Sequence, residues 1–173
     1  IAAVVRVAVT VADAVERETL AGRLPIVLGG DCTITLGVVA GLQRIRDDVR
    51  VAYFDGDADL NTPARTRSGI LDATGVAHLL GIANTPLARI GRSVPMLAAP
   101  QLVLLGYDPT DFDSFDAEVL AARPDVEPAA GHGDPRQTVR IRGHSREVRR
   151  HERHRIVGVH DRPVPGTLID EDA

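Results

Sequence analysis

The chain has 173 residues, a formal net charge of −4, 44% hydrophobic and 25% charged residues, which fits one ordinary globular domain or part of a larger one. No apolar run approaches the roughly 20 residues a membrane helix needs, and the apolar start, Ile1 to Val11, carries Arg6 with no basic region before it. Membrane insertion is therefore excluded as an expectation, and a cytoplasmic protein is predicted.

All 20 basic residues are arginine. Aromatic residues are limited to Tyr53, Phe54, Tyr107, Phe112 and Phe115, so a core has to be built from Val, Leu, Ile and Ala. In chain order, Ala12 to Arg23 reads as a helix leading to the short apolar run Pro25 to Leu28, which stops at Gly29-Gly30. Thr33 to Arg46 reads as a second helix, with apolar residues at Ile34, Leu36, Val38, Val39 and Leu42, and it leads to the strand Val51 to Phe54. A polar turn with Thr62-Pro63 precedes a helix through Val76 to Ile82. Gln101 to Leu105 reads as a third buried strand closing at Gly106, and Asp113 to Ala122 as a helix.

Strands alternating with helices at this spacing predict an α/β protein with a mainly parallel sheet packed by helices. Ligands in such sheets gather beyond the carboxyl ends of the strands. Those ends carry Gly29-Gly-Asp-Cys32, Asp55-Gly-Asp-Ala-Asp59 and Gly106-Tyr-Asp108. Asp55, Asp57 and Asp59 put like charges close together after a buried strand, which costs free energy unless a cation neutralises them. A solvated acidic turn is the plainer alternative, because Asp is a common turn former. Cys32, the single cysteine, cannot close an internal disulfide and is either buried filler or a ligand.

These residues resemble the arginase and agmatinase family, the ureohydrolases. The resemblance rests on Pro25-Ile-Val-Leu-Gly-Gly-Asp-Cys32, Tyr53-Phe-Asp-Gly-Asp-Ala-Asp-Leu-Asn-Thr-Pro63 and Ser68-Gly-Ile-Leu-Asp72, in that order, and spans about residues 12 to 110. It implies a three-layer α/β/α fold and a binuclear manganese site that hydrolyses a C–N bond of a guanidine or amidine such as arginine or agmatine. Carried over residue by residue, it makes Asp55 and Asp59 metal ligands. Cys32 and Asp57 stand where the family usually has ligating histidines. Asp keeps a hard anionic donor that Mn2+ accepts, whereas Cys offers a soft thiolate better suited to zinc or iron. Asn61 and Ser68 match positions near the substrate. Ile70 replaces an Asn, and Asp72 replaces a His that moves protons or holds substrate. Asp72 has a second reading as a cap for the helix that follows, and as a carboxylate it could pair with a cationic amine or guanidinium.

The family's late Ser-x-Asp-x-Asp-x-x-Asp-Pro strand has no counterpart. Ser114-Phe-Asp-Ala-Glu118 imitates it too early in the chain, and Asp170 and Asp172 have the spacing without the surrounding sequence. Residues 1–122 hold 10 Arg against 15 acidic residues and residues 123–173 hold 10 against 9, so the chain divides into an α/β part, 1–122, and an Arg/His/Pro-rich tail, 123–173. The tail is too poor in large apolar residues to bury a core of its own. Its composition is what GC-rich DNA yields when read out of frame, and the fold is expected to be incomplete at its C-terminal end. Loss of sheet strands is expected to leave an exposed edge.

Arg136 to Arg155 carries eight Arg and two Glu, but no aromatic interleaves it for base stacking, which argues against nucleic acid. His151-Glu-Arg-His154 lacks the spacing that places two ligands on one helix face, and His144 adds no motif to it. The expected partner is a small guanidino or amidino substrate, and the resemblance implies homo-oligomers. The competing reading is a non-catalytic binding or oligomer-forming protein that keeps the fold and a vestigial metal site.

Overall fold

The structure, a computed structural model, describes residues 1–106 together with the two-residue strand Thr138–Val139. Helix α1 runs from Ala2 to Leu20 and buries Ala8, Ala12 and Val15, with Val4, Val5 and Val11 partly buried beside them. These positions recur at helical spacing and form one apolar face. The helix begins at Ala2 rather than at the expected Ala12, because the Val- and Ala-rich start stays in phase with the face formed by Ala12 and Val15.

Helix α2, Ile34–Gln43, buries every residue from Thr35 to Gln43. Such all-round burial puts it inside the core. Its contact with α1 depends on two glycines. A Cβ on Gly37 would lie 2.5 Å from the carbonyl oxygen of Ala8, and one on Gly41 would lie 2.5 Å from that of Ala12. Spaced one turn apart, they let the two backbones approach closely. Arg44, just past α2, donates to Asp13 Oδ1 at 2.7 Å and Glu16 Oε2 at 2.9 Å on α1.

Strand β1, Val51–Phe54, and strand β2, Leu102–Leu105, pair in parallel from Val51 opposite Leu102 to Phe54 opposite Leu105. Gln101 fixes their start, its amide donating to the Val49 carbonyl at 2.9 Å. The Asp55 N–H donates to the Leu105 carbonyl at 3.0 Å and carries the ladder one residue past β1. Between the strands, helix α3, Gly75–Leu79, follows a 3-10 turn over Asp72–Thr74. It is shorter than the expected Val76 to Ile82, because the chain turns at Gly81 with φ 67°, where a Cβ would meet Pro95 at 3.1 Å. Strand β3, Thr138–Val139, pairs antiparallel with β2, giving the order β1-β2-β3.

Two expectations are corrected. Pro25 to Leu28 is not a strand among the described residues. β1 pairs with β2 on one side, and the run forms no ladder on the other; Pro25 lacks the N–H that such a ladder would use. It keeps the alternation of a strand, with Val27 partly buried while Ile26 is 83% and Leu28 91% exposed. The strands are also not buried on both faces. Val51, Tyr53, Leu102 and Leu104 point into the core, while Phe54 and Val103 remain exposed on the other side. No helix among the described residues is long and apolar enough to cross a membrane.

The helix expected over Asp113 to Ala122 lies outside the described residues. So do the local mimic Ser114 to Glu118, the Arg-rich run apart from the strand Thr138–Val139, and Asp170 and Asp172.

Candidate metal centre

The end of β1 meets the loop before α2. Along β1, Tyr53 and Asp55 share the buried face by the two-residue period of a strand. The chain then turns through Gly56 and Asp57 to Asp59, which has a left-handed φ of 49°. Aspartate adopts that region more readily than most residues. The Ala77 N–H of α3 donates to the Asp59 carbonyl at 2.9 Å and anchors the turn. In the other loop, Asp31 Oδ1 accepts from the Thr33 N–H at 2.9 Å, an Asx turn that leads into α2 beside Cys32.

Together these turns bring Cys32, Asp55 and Asp59 into one group. Their ligand atoms all lie within 4.8 Å of one another, and all three residues are buried. Asp57, two residues along the chain, lies outside that group and is half-buried; its N–H donates to Asp55 Oδ1 at 3.0 Å.

Hydrogen bonds hold the group in place. The Tyr53 hydroxyl donates to Asp59 Oδ2 in a short bond. The Cys32 thiol donates to the Asp72 carbonyl at 2.9 Å. Gly75 leaves the necessary space, since a Cβ there would sit 3.0 Å from the Tyr53 hydroxyl and 3.4 Å from Asp59 Oδ2.

Burial and like charge set the protonation of the metal-free site. Burial pushes the Asp59 carboxyl up to about 7; the Asp55 and Asp57 carboxylates push the same way, against the hydrogen bonds from Tyr53 and Cys32. The Cys32 thiol is driven well above its ordinary value, first by burial and then by the Asp59 and Asp55 charges. Burial, then the Asp59 charge, likewise raises the Tyr53 hydroxyl. A bound cation would reverse these preferences by favouring thiolate and carboxylate. The donor set fits one divalent cation. Among the described residues, no second group of three such donors lies this close together.

The other candidates are not among these three donors. Asn61 is buried, its Oδ1 accepting from the Thr62 N–H at 2.9 Å. Ser68 is exposed, within 3.0 Å of the Thr66 hydroxyl, and its Oγ accepts from the Ile70 N–H at 3.3 Å. Asp72 opens the 3-10 turn before α3, with Oδ1 accepting from the Ala73 N–H at 2.8 Å, and reaches Cys32 through its backbone carbonyl. Two contributors were missed in the sequence reading, Tyr53 and Gly75. Tyr53 could have been found from its position two residues before Asp55, on the same face of the strand. Gly75 gave no signal, because its role depends on a contact across the fold.

A family model described as the arginase family matches residues 2–123. Over 100 residues the chain is 36% identical to the arginase of Brevibacillus brevis, covering 58% of this chain and 33% of that protein. Over 112 residues it is 42% identical to the arginase of Eremothecium gossypii, covering 62% and 27%. Among solved structures, the arginase of Bacillus caldovelox at pH 5.6 superposes with a TM-score of 0.57 at 31% identity, covering 61% of this chain and 35% of that one. The cold-adapted arginase of the yeast Glaciozyma antarctica superposes with a TM-score of 0.58 at 31% identity, covering 70% and 43%. The chain spans about one third of the length of these curated relatives. Its α/β architecture is a part of the fold they share, and the chain belongs to the arginase family.

Proposed function

We propose that this chain forms the part of a ureohydrolase that carries a metal-binding strand end, acting on the C–N bond of a guanidine or amidine such as arginine or agmatine. The observation that supports this reading best is the convergence of Cys32, Asp55 and Asp59 within 4.8 Å at the end of β1. Buried acidic groups this close are costly without a cation. A divalent metal held there would supply Lewis acidity and lower the pKa of water at neutral pH.

The chain's own residues do the rest. Asp55 and Asp59 contribute negative charge, and Tyr53 fixes the orientation of Asp59. Asp72, whose backbone carbonyl meets the Cys32 thiol, is proposed to hold a proton or to pair with the cationic guanidinium through its carboxylate. Asn61 and Ser68 are proposed as contacts for the remainder of the substrate. A cytoplasmic location and assembly into homo-oligomers belong to the same proposal.

The test is urea release from arginine, agmatine and a panel of guanidino and amidino compounds, with Mn2+, Co2+ or Zn2+ supplied in turn. Metal-dependent release that disappears in an Asp55→Ala, Asp59→Ala double variant supports the reading. Metal binding without hydrolysis of any compound favours the non-catalytic alternative, for which the replacement of two family histidines by Cys32 and Asp57 is the motivating observation.

A further inference from the structure

The donors at the end of β1 depart from what a pair of manganese ions needs, and the departure has a chemical direction. Resting on the reading of this site as a metal centre, we propose that Cys32, Asp55 and Asp59 hold one thiophilic divalent cation of the zinc or cobalt class, with the Cys32 sulfur as a ligand, in place of a manganese pair.

Among the described residues, one group of three donors is close enough to hold an ion. One sulfur and two carboxylates lie within 4.8 Å of one another, all buried, and Asp57 is not among them. Three protein ligands and one open position is the arrangement of catalytic zinc sites. Manganese prefers sites built from oxygen, and a thiolate shifts selection toward zinc; the general affinity order of divalent metals also places Mn2+ below Co2+ and Zn2+.

The surroundings of the sulfur separate Cys32 from a cysteine that merely fills space. A filler cysteine sits among apolar side chains. The Cys32 thiol instead faces polar groups, donating to the Asp72 carbonyl at 2.9 Å and lying within 4.8 Å of the Asp55 and Asp59 carboxylates. Asp59 is in turn oriented by Tyr53, the kind of outer hydrogen bond that fixes metal ligands. On binding, the thiol proton passes to solvent as the sulfur lone pair forms the bond to the cation. No electron is transferred.

The experiment is titration of the full metal-free chain with Co2+, followed by absorbance. A Co2+–thiolate bond gives a near-ultraviolet charge-transfer band that oxygen ligands do not produce. The band is expected to saturate at one equivalent, to disappear when one equivalent of Zn2+ is added, and to persist in about a hundredfold excess of Mn2+. In Cys32→Ser the band is expected to be absent and Zn2+ affinity to fall at least about tenfold. Since Cys32 is the only cysteine, the wild-type band reports this site even if that variant fails to fold. Two equivalents of bound metal, cobalt bound without the band, or displacement by equimolar Mn2+ overturns the single thiolate site while leaving a metal centre standing. Failure to bind Co2+, Zn2+ and Mn2+ overturns both.

Discussion

The Tyr53 hydroxyl donates a hydrogen bond to Asp59 Oδ2, joining the buried face of β1 to the turn that follows it. The bond holds the carboxylate that shares a group with Cys32 and Asp55. Tyr53→Phe keeps the ring and removes only the donor. Its expected effect is a loss of metal affinity of about 10- to 100-fold, the usual cost of removing an outer partner of a metal ligand. Calorimetric titration of wild type and variant with Zn2+ measures it, and equal affinities would remove Tyr53 from the site.

Asp59 predicts a pH dependence of stability in the metal-free chain. Its carboxyl is raised from 3.8 to about 7 by burial in the folded state, so the folded state holds a proton that the unfolded state releases. Its contribution is complete below about pH 4 and declines as pH rises through about 7. Relative to Asp59→Asn, the wild-type melting temperature should therefore drop between pH 4 and 7 and level off above. Parallel profiles would show that Asp59 is not perturbed. Bound metal is expected to abolish the decline.

His78 acts with the opposite sign. Burial lowers its pKa. Nδ1 lies 2.7 Å from the Thr74 carbonyl, which can only accept, so Nδ1 carries the proton and Nε2 accepts from the Thr85 hydroxyl at 2.9 Å. The folded state thus requires the neutral ring. Stability from this residue is complete above about pH 6.5 and is lost as pH falls from there toward the lowered folded value. His78→Gln should cost stability at pH 8 and remove the part of the acid-side slope that begins near 6.5. Chemical denaturation of both proteins at pH 5 and pH 8 checks it.

The glycines between α1 and α2 predict a packing defect. Gly37→Ala and Gly41→Ala each place a methyl group 2.5 Å from a carbonyl oxygen of α1. The expected cost is about 1–3 kcal/mol each, despite the better helix propensity of alanine. A lower denaturant midpoint at unchanged slope is the expected signature. Gly30→Ala, where an added Cβ meets nothing within 4 Å, serves as the control.

Leu24, Ile26 and Leu28 are exposed on a segment that alternates like a strand. Exposed apolar side chains on extended chain favour self-association. Ile26→Thr with Leu28→Thr should shift the chain toward smaller species in light scattering at the same concentration. An unchanged size distribution would place the adhesive surface elsewhere.

The amino-acid sequence by itself determined the helices before β1 and the strands β1 and β2, but not the strand expected between α1 and α2. It placed β1 at Val51–Phe54, brought β2 within one residue of its observed start, and marked Cys32, Asp55 and Asp59 as candidates for one site. These are consequences of local spacing: a helical or two-residue period, a glycine-rich stop and acidic residues after a strand are properties of neighbours along the chain. Only the tertiary structure decided that Pro25 to Leu28 stays outside the ladder, that Cys32 joins Asp55 and Asp59 in one buried group, and that Tyr53 and Gly75 shape the site. A strand exists through its hydrogen-bonding partner, a ligand group through the convergence of distant segments, and an obligatory glycine through the atom it faces. Each depends on contacts between residues far apart in sequence, which spacing along the chain does not encode.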